Sequence, residues 1–264
     1  MTDIRIISLY SGSTGNAFVI DYNGACILID AGKSAKKLCA ALTEINVDPS
    51  RIAAILVTHE HSDHIKALPV FLKKHPIPVH LPVACASKLE QEEHVARLLH
   101  PHPPIYTEDI CGIKVSSFPT PHDSRGSVGY RFEIPCEGGC FCMGYATDIG
   151  HVSKEVYEGL CGCDAVILES NHDLEMLQNG PYPYDLKLRI ASRRGHLSNP
   201  DSAALAAKLC KAGTKRLMLA HLSQENNTPD TAYDECLSAV GDERVQIAVA
   251  DPECVTEFFT EEAL

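Results

Sequence analysis

The stretch IAAILVTHEHSDH, residues 52–64, decides how the chain is read. Ile52–Val57 is a short apolar run, long enough for a buried strand and shorter than an ordinary helix. After Thr58 come His59, His61, Asp63 and His64, four potential metal ligands within six residues. In an extended loop, side chains two apart point the same way, so His59 and His61 can hold one ion together. Asp63 and His64 come round the start of the next helix and can face a second. Mixed imidazole and carboxylate donors suit zinc, manganese or iron. The helical HExxH zinc motif is not present, because Asp63 stands where its second histidine would be.

Working outward, Ile4–Leu9, Ala17–Asp21 and Ala25–Asp30 read as strands separated by SGSTGN and YNG. Asn23-Gly24 is a hairpin signal. SGSTGN is read as a tight turn that can also bring Ser11, Ser13 and Asn16 near the site. A helix is expected from about Ser34 to Ile45, with Leu38, Leu42 and Ile45 on one face. Leu68–Lys74 and an acidic, amphipathic Ala84–Leu99 read as helices. Val115–Phe118, Val128–Ile134 and Phe141–Thr147 read as strands, the last running into Asp148. Ala165–Glu169 and Leu217–Ala220 are short apolar strands, and Asn199–Ala212 is a helix expected to be capped by Asn199, with Pro200 in its first turn. One final strand and a tail close the chain. The order, strands first and then strands alternating with helices, twice over, suits two sheets packed face to face with helices outside. With no repeat or linker, residues 1–264 are expected to form one domain.

Composition sets limits on function. Hydrophobic residues make up 45% and charged residues 22% of the chain, which fits a globular protein with a real core. No apolar run approaches the roughly 20 residues needed to cross a bilayer. The start, MTDIRIISLYSGS, reads as a first strand rather than an export signal. The 12 cysteines are therefore read as reduced thiols of a cytoplasmic protein. Cys136, Cys140 and Cys142 fall on an expected β-hairpin and lack the second half of a structural zinc site. The net charge of -12 weakens non-specific binding to nucleic acid. Residues 181–196 run the other way, with Lys187, Arg189, Arg193 and Arg194 against Asp185 alone.

Five of the 13 histidines, His59, His61, His64, His122 and His221, follow an apolar strand or sit in a turn, where rigid scaffolds present reactive groups. The HxHxDH run after a strand resembles the signature of the metallo-β-lactamase superfamily. The superfamily's other positions are filled in order: Asp30 in ILIDAG, His122 in FPTPHDSRG, Asp148 in GYATDIG and His221 in LMLAHLS. The resemblance implies an α/β fold, the αββα four-layer sandwich of two mixed β-sheets with helices outside. It implies two divalent metal ions, zinc, manganese or iron. His59, His61 and His122 would hold one and Asp63, His64 and His221 the other, with Asp148 bridging and Asp30 supporting the metal loop. His61 departs from the glutamate usual in the diiron members, which disfavours redox chemistry.

His196 in RRGHLSNPDSA occupies the place where ribonuclease Z-like phosphodiesterases carry a proton-donating histidine. An alkoxide leaves a phosphodiester poorly, so a positioned acid contributes about 10²–10⁴-fold there. SLYSGSTGN, HEHSDH, YPYDLKLRIASRRGHLSN and AHLSQENN further resemble the YycJ (WalJ) group of bacterial proteins, which is exonuclease-like and acts on DNA. The resemblance implies a metal-dependent hydrolase, a phosphodiesterase or nuclease whose nucleic-acid substrate is DNA. In it, Asp63 orients the attacking water, His196 is the general acid, and Lys187, Arg189, Arg193 and Arg194 hold the phosphate backbone. His172 in LESNHD departs from that group's pattern and is expected to be non-catalytic. An ester, thioester or cyclic-phosphodiester hydrolase on the same scaffold is the alternative. A regulatory module without activity fits poorly, since such descendants lose ligands and this chain retains all seven.

Overall fold

The computed structural model of the chain describes residues 4–260. Residues 1–3 and 261–264 of the expected domain lie outside it. Six strands of a first sheet come in succession: β1 Ile4–Tyr10, β2 Ala17–Tyr22, β3 Ala25–Ile29, β4 Ile52–Leu56, β5 Val79–Pro82 and β6 Leu99–His102. The second sheet then takes β7 Thr107–Ile110, β8 Ile113–Thr120, β9 Ser127–Cys136, β10 Gly139–Ala146, β11 Ala165–Glu169, β12 Arg216–Ala220 and β13 Gln246–Val249. β14, Thr256–Thr260, returns to pair antiparallel with β1. The helices are α1 Ala35–Glu44, α2 Ser62–Ile65, α3 Leu68–Lys74, α4 Val83–Leu89, α5 Glu93–Ala96, α6 Lys154–Leu160, α7 Leu174–Asn179, α8 Tyr184–Ile190, α9 Asn199–Lys211 and α10 Pro229–Val240.

The first sheet runs β14-β1-β2-β3-β4-β5-β6 and the second β13-β12-β11-β10-β9-β8-β7. Both mix parallel and antiparallel pairs. Three apolar layers hold them. Phe18, Ile20, Ile27 and Ile29 of the first sheet meet Tyr130, Phe132, Met143 and Ile167 of the second. Their neighbours Val19 and Leu28 face outward onto Leu38 and Leu42 of α1 and Phe71 of α3. The outer face of the second sheet covers Val156 of α6 and Leu205 and Leu209 of α9. β2 and β3 are thus buried on both faces, which is why they read as continuous apolar runs rather than alternating ones. The expected αββα sandwich is the observed one.

The turn at Asn23-Gly24 has φ of 48° and 87° at its two central residues, the left-handed pair that a type I′ hairpin needs and that Asn-Gly supplies at little cost. Cys136, Cys140 and Cys142 lie on the β9–β10 hairpin, and none of the described cysteines is in a disulfide.

Three local expectations need correction. The helix expected over 84–99 is two short helices, α4 and α5, followed by β6. Leu99 pairs with Val79 in the parallel β5–β6 ladder, and a continuous helix would carry it off the sheet. Tertiary pairing outweighs the helical periodicity here. The single closing strand is two, β13 and β14, one in each sheet. Helix α9 is capped by Ser198, whose Oγ accepts from Asp201 N. Asn199 turns its side chain inward instead, accepting from Ser170 Oγ at 2.8 Å and donating to Asn227 Oδ1 at 2.8 Å.

At the β5–β6 margin, His80 Nδ1 lies 2.9 Å from His102 Nε2. The ring centres are 5.1 Å apart and the planes differ by 8°, a combination that only edge-to-edge rings satisfy. This is an in-line N–H···N hydrogen bond with no room for an ion between the nitrogens. Burial pushes His80 down to about 4, assisted by His102 and His100. A histidine depressed in the fold but ordinary when unfolded stabilises the native state fully above about 6.5. That contribution is lost as pH falls towards 4. The melting temperature is therefore expected to drop as pH is lowered through this window, and less so in His80→Gln. Superimposable pH profiles of the two proteins by differential scanning fluorimetry would refute the assignment.

Candidate metal centre

Each residue of the expected metal loops lies at or just beyond the end of a strand, whereas His196 and the basic residues 187–194 lie on α8 and in the loop before α9. Asp30 follows β3, His59–His64 follow β4, His122 follows β8, Asp148 follows β10 and His221 follows β12. Strands of both sheets thus deliver their loops to one rim, the usual place for a ligand in sheets of this kind. Asp30, Asp148 and His221 have φ of 59°, 56° and 56°. Left-handed backbone costs a residue with a side chain roughly 1 kcal/mol or more. Three such residues at one rim show where the fold accepts strain to aim its side chains.

His61 occupies the N-cap position of α2, so Asp63 and His64 sit in the first turn of that helix, as the spacing implied. His59, His61 and His122 face one another, with ring centres 4.5, 4.9 and 5.0 Å apart. A nitrogen from each falls within 4.8 Å of the others. Asp63, His64 and His221 form a second such group. Asp63 Oδ2 lies 3.4 Å from His64 Nε2 and 3.5 Å from His221 Nε2. Asp148 stands between the groups. Its Oδ1 is 3.5 Å from His122 Nε2 and its Oδ2 is 3.2 Å from His64 Nε2.

Several of these atoms have no hydrogen-bond partner within the protein. His59 Nε2, Asp148 Oδ2 and His221 Nε2 are buried without a hydrogen bond. Each orphan of this kind costs about 1–3 kcal/mol unless something else satisfies it. Burial also holds His59 well below the ordinary histidine value, keeping its lone pair unprotonated. Buried imidazole and carboxylate atoms that converge and lack partners fit divalent cations.

The ring orientations are set from behind. His64 Nδ1 donates to Asp30 Oδ2 at 2.8 Å, and Asp30 also accepts from Thr58 N and Thr58 Oγ1, both at 2.9 Å. The other nitrogen, Nε2, is thereby left facing the site. His122 Nδ1 donates to Gly195 O at 3.1 Å. Gly32, just after Asp30, packs so tightly that a Cβ there would lie 1.6 Å from Asp63 O. The loop after β3 therefore needs glycine at that point. From the SGSTGN turn, Ser11 Oγ accepts from His221 N at 2.8 Å, and Asn16 Nδ2 reaches within 3.2 Å of His64 Nε2.

Sequence reading missed Glu169, the last residue of β11. It is fully buried, and its Oε1 accepts from His196 Nδ1 at 2.8 Å and from His221 Nδ1 at 3.0 Å. Its Oε2 accepts from Ile149 N at 2.6 Å and Leu197 N at 3.2 Å. With both oxygens occupied, Glu169 orients histidines rather than supplying a metal donor. Burial raises a carboxyl, but His196 and His221 outweigh it and bring Glu169 down to about 2. The available signal was an apolar strand ending in an acid. Glu60, also unread, accepts from Arg125 N and Cys85 Sγ, both at 2.9 Å, and anchors the HEHSDH loop.

His196 lines a cleft of about 210 Å³ with Ser13, Asn171, Tyr182, Arg189 and Ser223. The four cations of this region diverge. Arg189 lines the cleft and pairs with Asp123. Arg194 donates to His122 O at 2.8 and 3.0 Å, holding a loop carbonyl. Lys187 donates to Gln178 O at 2.8 Å, and Arg193 is exposed. His172 is buried, bridged by its backbone to Ser198 and absent from both donor groups.

Two facing sheets whose loops meet in paired imidazole and carboxylate groups are the architecture of the metallo-β-lactamase fold. The chain belongs to the β-lactamase superfamily, the model of whose domain matches residues 26–222. It is 35% identical over 229 residues to exodeoxyribonuclease WalJ of Streptococcus pneumoniae serotype 2 (strain D39 / NCTC 7466), covering 85% of this chain and 84% of that one. It is also 35% identical over 229 residues to exodeoxyribonuclease YycJ of Bacillus anthracis, with the same coverage. Among solved structures, the metallo-β-lactamase fold protein YhfI from Bacillus subtilis superposes with a TM-score of 0.74 at 15% identity, over 97% of this chain and all of the other. Among the described residues, no helix is long and apolar enough to cross a membrane.

Proposed function

We propose that the protein is a metal-dependent phosphodiester hydrolase, an exonuclease acting on DNA in the cytoplasm. The observation that carries this reading is His196, held by Glu169 beside the two donor groups and at the wall of a cleft. The names of the WalJ and YycJ relatives support DNA as the substrate. Cytoplasmic location accords with thiols that stay reduced.

His59, His61 and His122 would hold one divalent ion, Asp63, His64 and His221 a second, with Asp148 shared between them. Zinc, manganese and iron all suit these donors. Such ions supply Lewis acidity, lowering the pKa of water and neutralising phosphate charge. The protein's own groups do the rest. Asp63, partly exposed, accepts a hydrogen bond from the attacking water and orients it towards phosphorus. As the phosphorus–oxygen bond breaks, His196 Nε2 gives its proton to the departing oxygen. Glu169 holds His196 Nδ1–H and stabilises the cationic ring before transfer. Arg189 faces the cleft where a phosphate would enter.

The reading is tested by incubating protein reconstituted with manganese or zinc with end-labelled duplex DNA, a tRNA precursor and bis-p-nitrophenyl phosphate. Progressive shortening of the DNA is expected. Cleavage of the artificial diester alone would remove nucleic acid as the substrate.

A further inference from the structure

Asp123 directly follows the site residue His122, and the two ends of its carboxylate face different partners. Oδ1 lies 3.3 Å from His122 Nε2 and 3.9 Å from His61 Nε2. It is buried and has no hydrogen-bond donor. Oδ2 accepts from Arg189 Nε on α8. His122 Nε2 is the nitrogen that also faces His61 Nδ1 at 3.3 Å and Asp148 Oδ1 at 3.5 Å. The Asp123 carboxylate therefore spans the space between the first donor group and the cation of the cleft. In the proposed hydrolysis a phosphodiester would occupy that same space.

Carboxylate and phosphate are both planar or tripodal oxygen anions that guanidinium binds through paired N–H groups, and they compete for it. We propose that Asp123 is a built-in substitute for the substrate phosphate, engaging Arg189 in the free protein and releasing it when a phosphate enters. The inference rests on the phosphodiesterase reading for its substrate, but not for its geometry. The latch keeps Arg189, whose side chain is 58% exposed, aimed into the cleft rather than free in solvent. Chloride and other weakly bound anions would not displace a carboxylate already in place, whereas a phosphate that gains both Arg189 and the donor groups would.

The test uses metal-loaded protein and inorganic phosphate as the probe, with binding read by isothermal titration calorimetry. Asp123→Asn is expected to bind phosphate about fivefold more tightly than the parent, a shift typical for removing one partner of a partly exposed ion pair. Arg189→Gln is expected to bind it more weakly. The gain from Asp123→Asn should shrink when Arg189→Gln is also present, and Asp123→Ser should behave as Asp123→Asn does. Metal content, measured by mass spectrometry, should equal that of the parent in Asp123→Asn. Loss of an ion would make Asp123 a metal ligand and overturn the proposal. So would unaltered phosphate affinity, or an equal gain with and without Arg189. Phosphate binding needs no cleavage, so a protein that left DNA intact but showed these shifts would sink the exonuclease reading and keep the latch.

Discussion

Asp148→Asn is expected to lose turnover by on the order of 10³-fold, the upper range for removing one charge-stabilising group from an active site, together with bound metal. Asparagine is the informative replacement. Residue 148 has φ of 56°, a backbone conformation that asparagine tolerates and alanine does not. The fold should therefore survive while the charge goes. Asp148 approaches His122 through one oxygen and His64 through the other, so its loss affects both donor groups at once. In the metal-free protein, burial disfavours its ionised form, but His221, His64 and His59 together hold it far below the usual carboxylate range. Metal content by mass spectrometry and hydrolysis of labelled DNA are the readouts. A variant with a full metal complement and parental turnover would show that Asp148 bridges nothing.

His196→Ala is expected to lose about 10²–10⁴-fold in turnover on DNA while keeping its metal. His196 does fall within donor distance of Asp148, Glu169 and His221, but its Nδ1 is spent on Glu169, so the metal should stay. The substrate dependence is the sharper part. A nucleotide leaves as a poor alkoxide and needs a proton, whereas p-nitrophenolate leaves readily without one. The variant should therefore retain most of its activity on bis-p-nitrophenyl phosphate. Equal losses on both substrates would remove His196 from proton donation and make its role positional. The readout must include metal content, since Glu169 holds His196 and His221 through the same oxygen. Disturbing one histidine could otherwise be mistaken for disturbing the other.

Much of the site was legible because its residues carry local signatures. Four donors follow one apolar strand, and the resemblance to the superfamily pointed to the other candidates, each of which sits where a strand ends. The sandwich was legible for the same reason: strands buried on both faces stay apolar throughout, and Asn-Gly marks a turn that few other pairs make. Ala84–Leu99 was not legible. Its apolar spacing fits a helix, and nothing local records that Leu99 is wanted by Val79 on a neighbouring strand. Glu169 was passed over because a single acid at a strand end looks like any polar terminus. Its importance comes from two histidines, 27 and 52 residues away, that share its oxygen.

The primary structure by itself, through its motifs and the family they resemble, determined the scaffold and which side chains are candidates for metal binding, since residue type and spacing along strands are local properties of the chain. Only the folded arrangement decided which cations face the cleft and which are spent on loop carbonyls. It also decided which acid holds His196 and which one Arg189 pairs with. Those choices depend on distances between segments far apart in the chain, and a one-dimensional pattern of residues does not contain such distances.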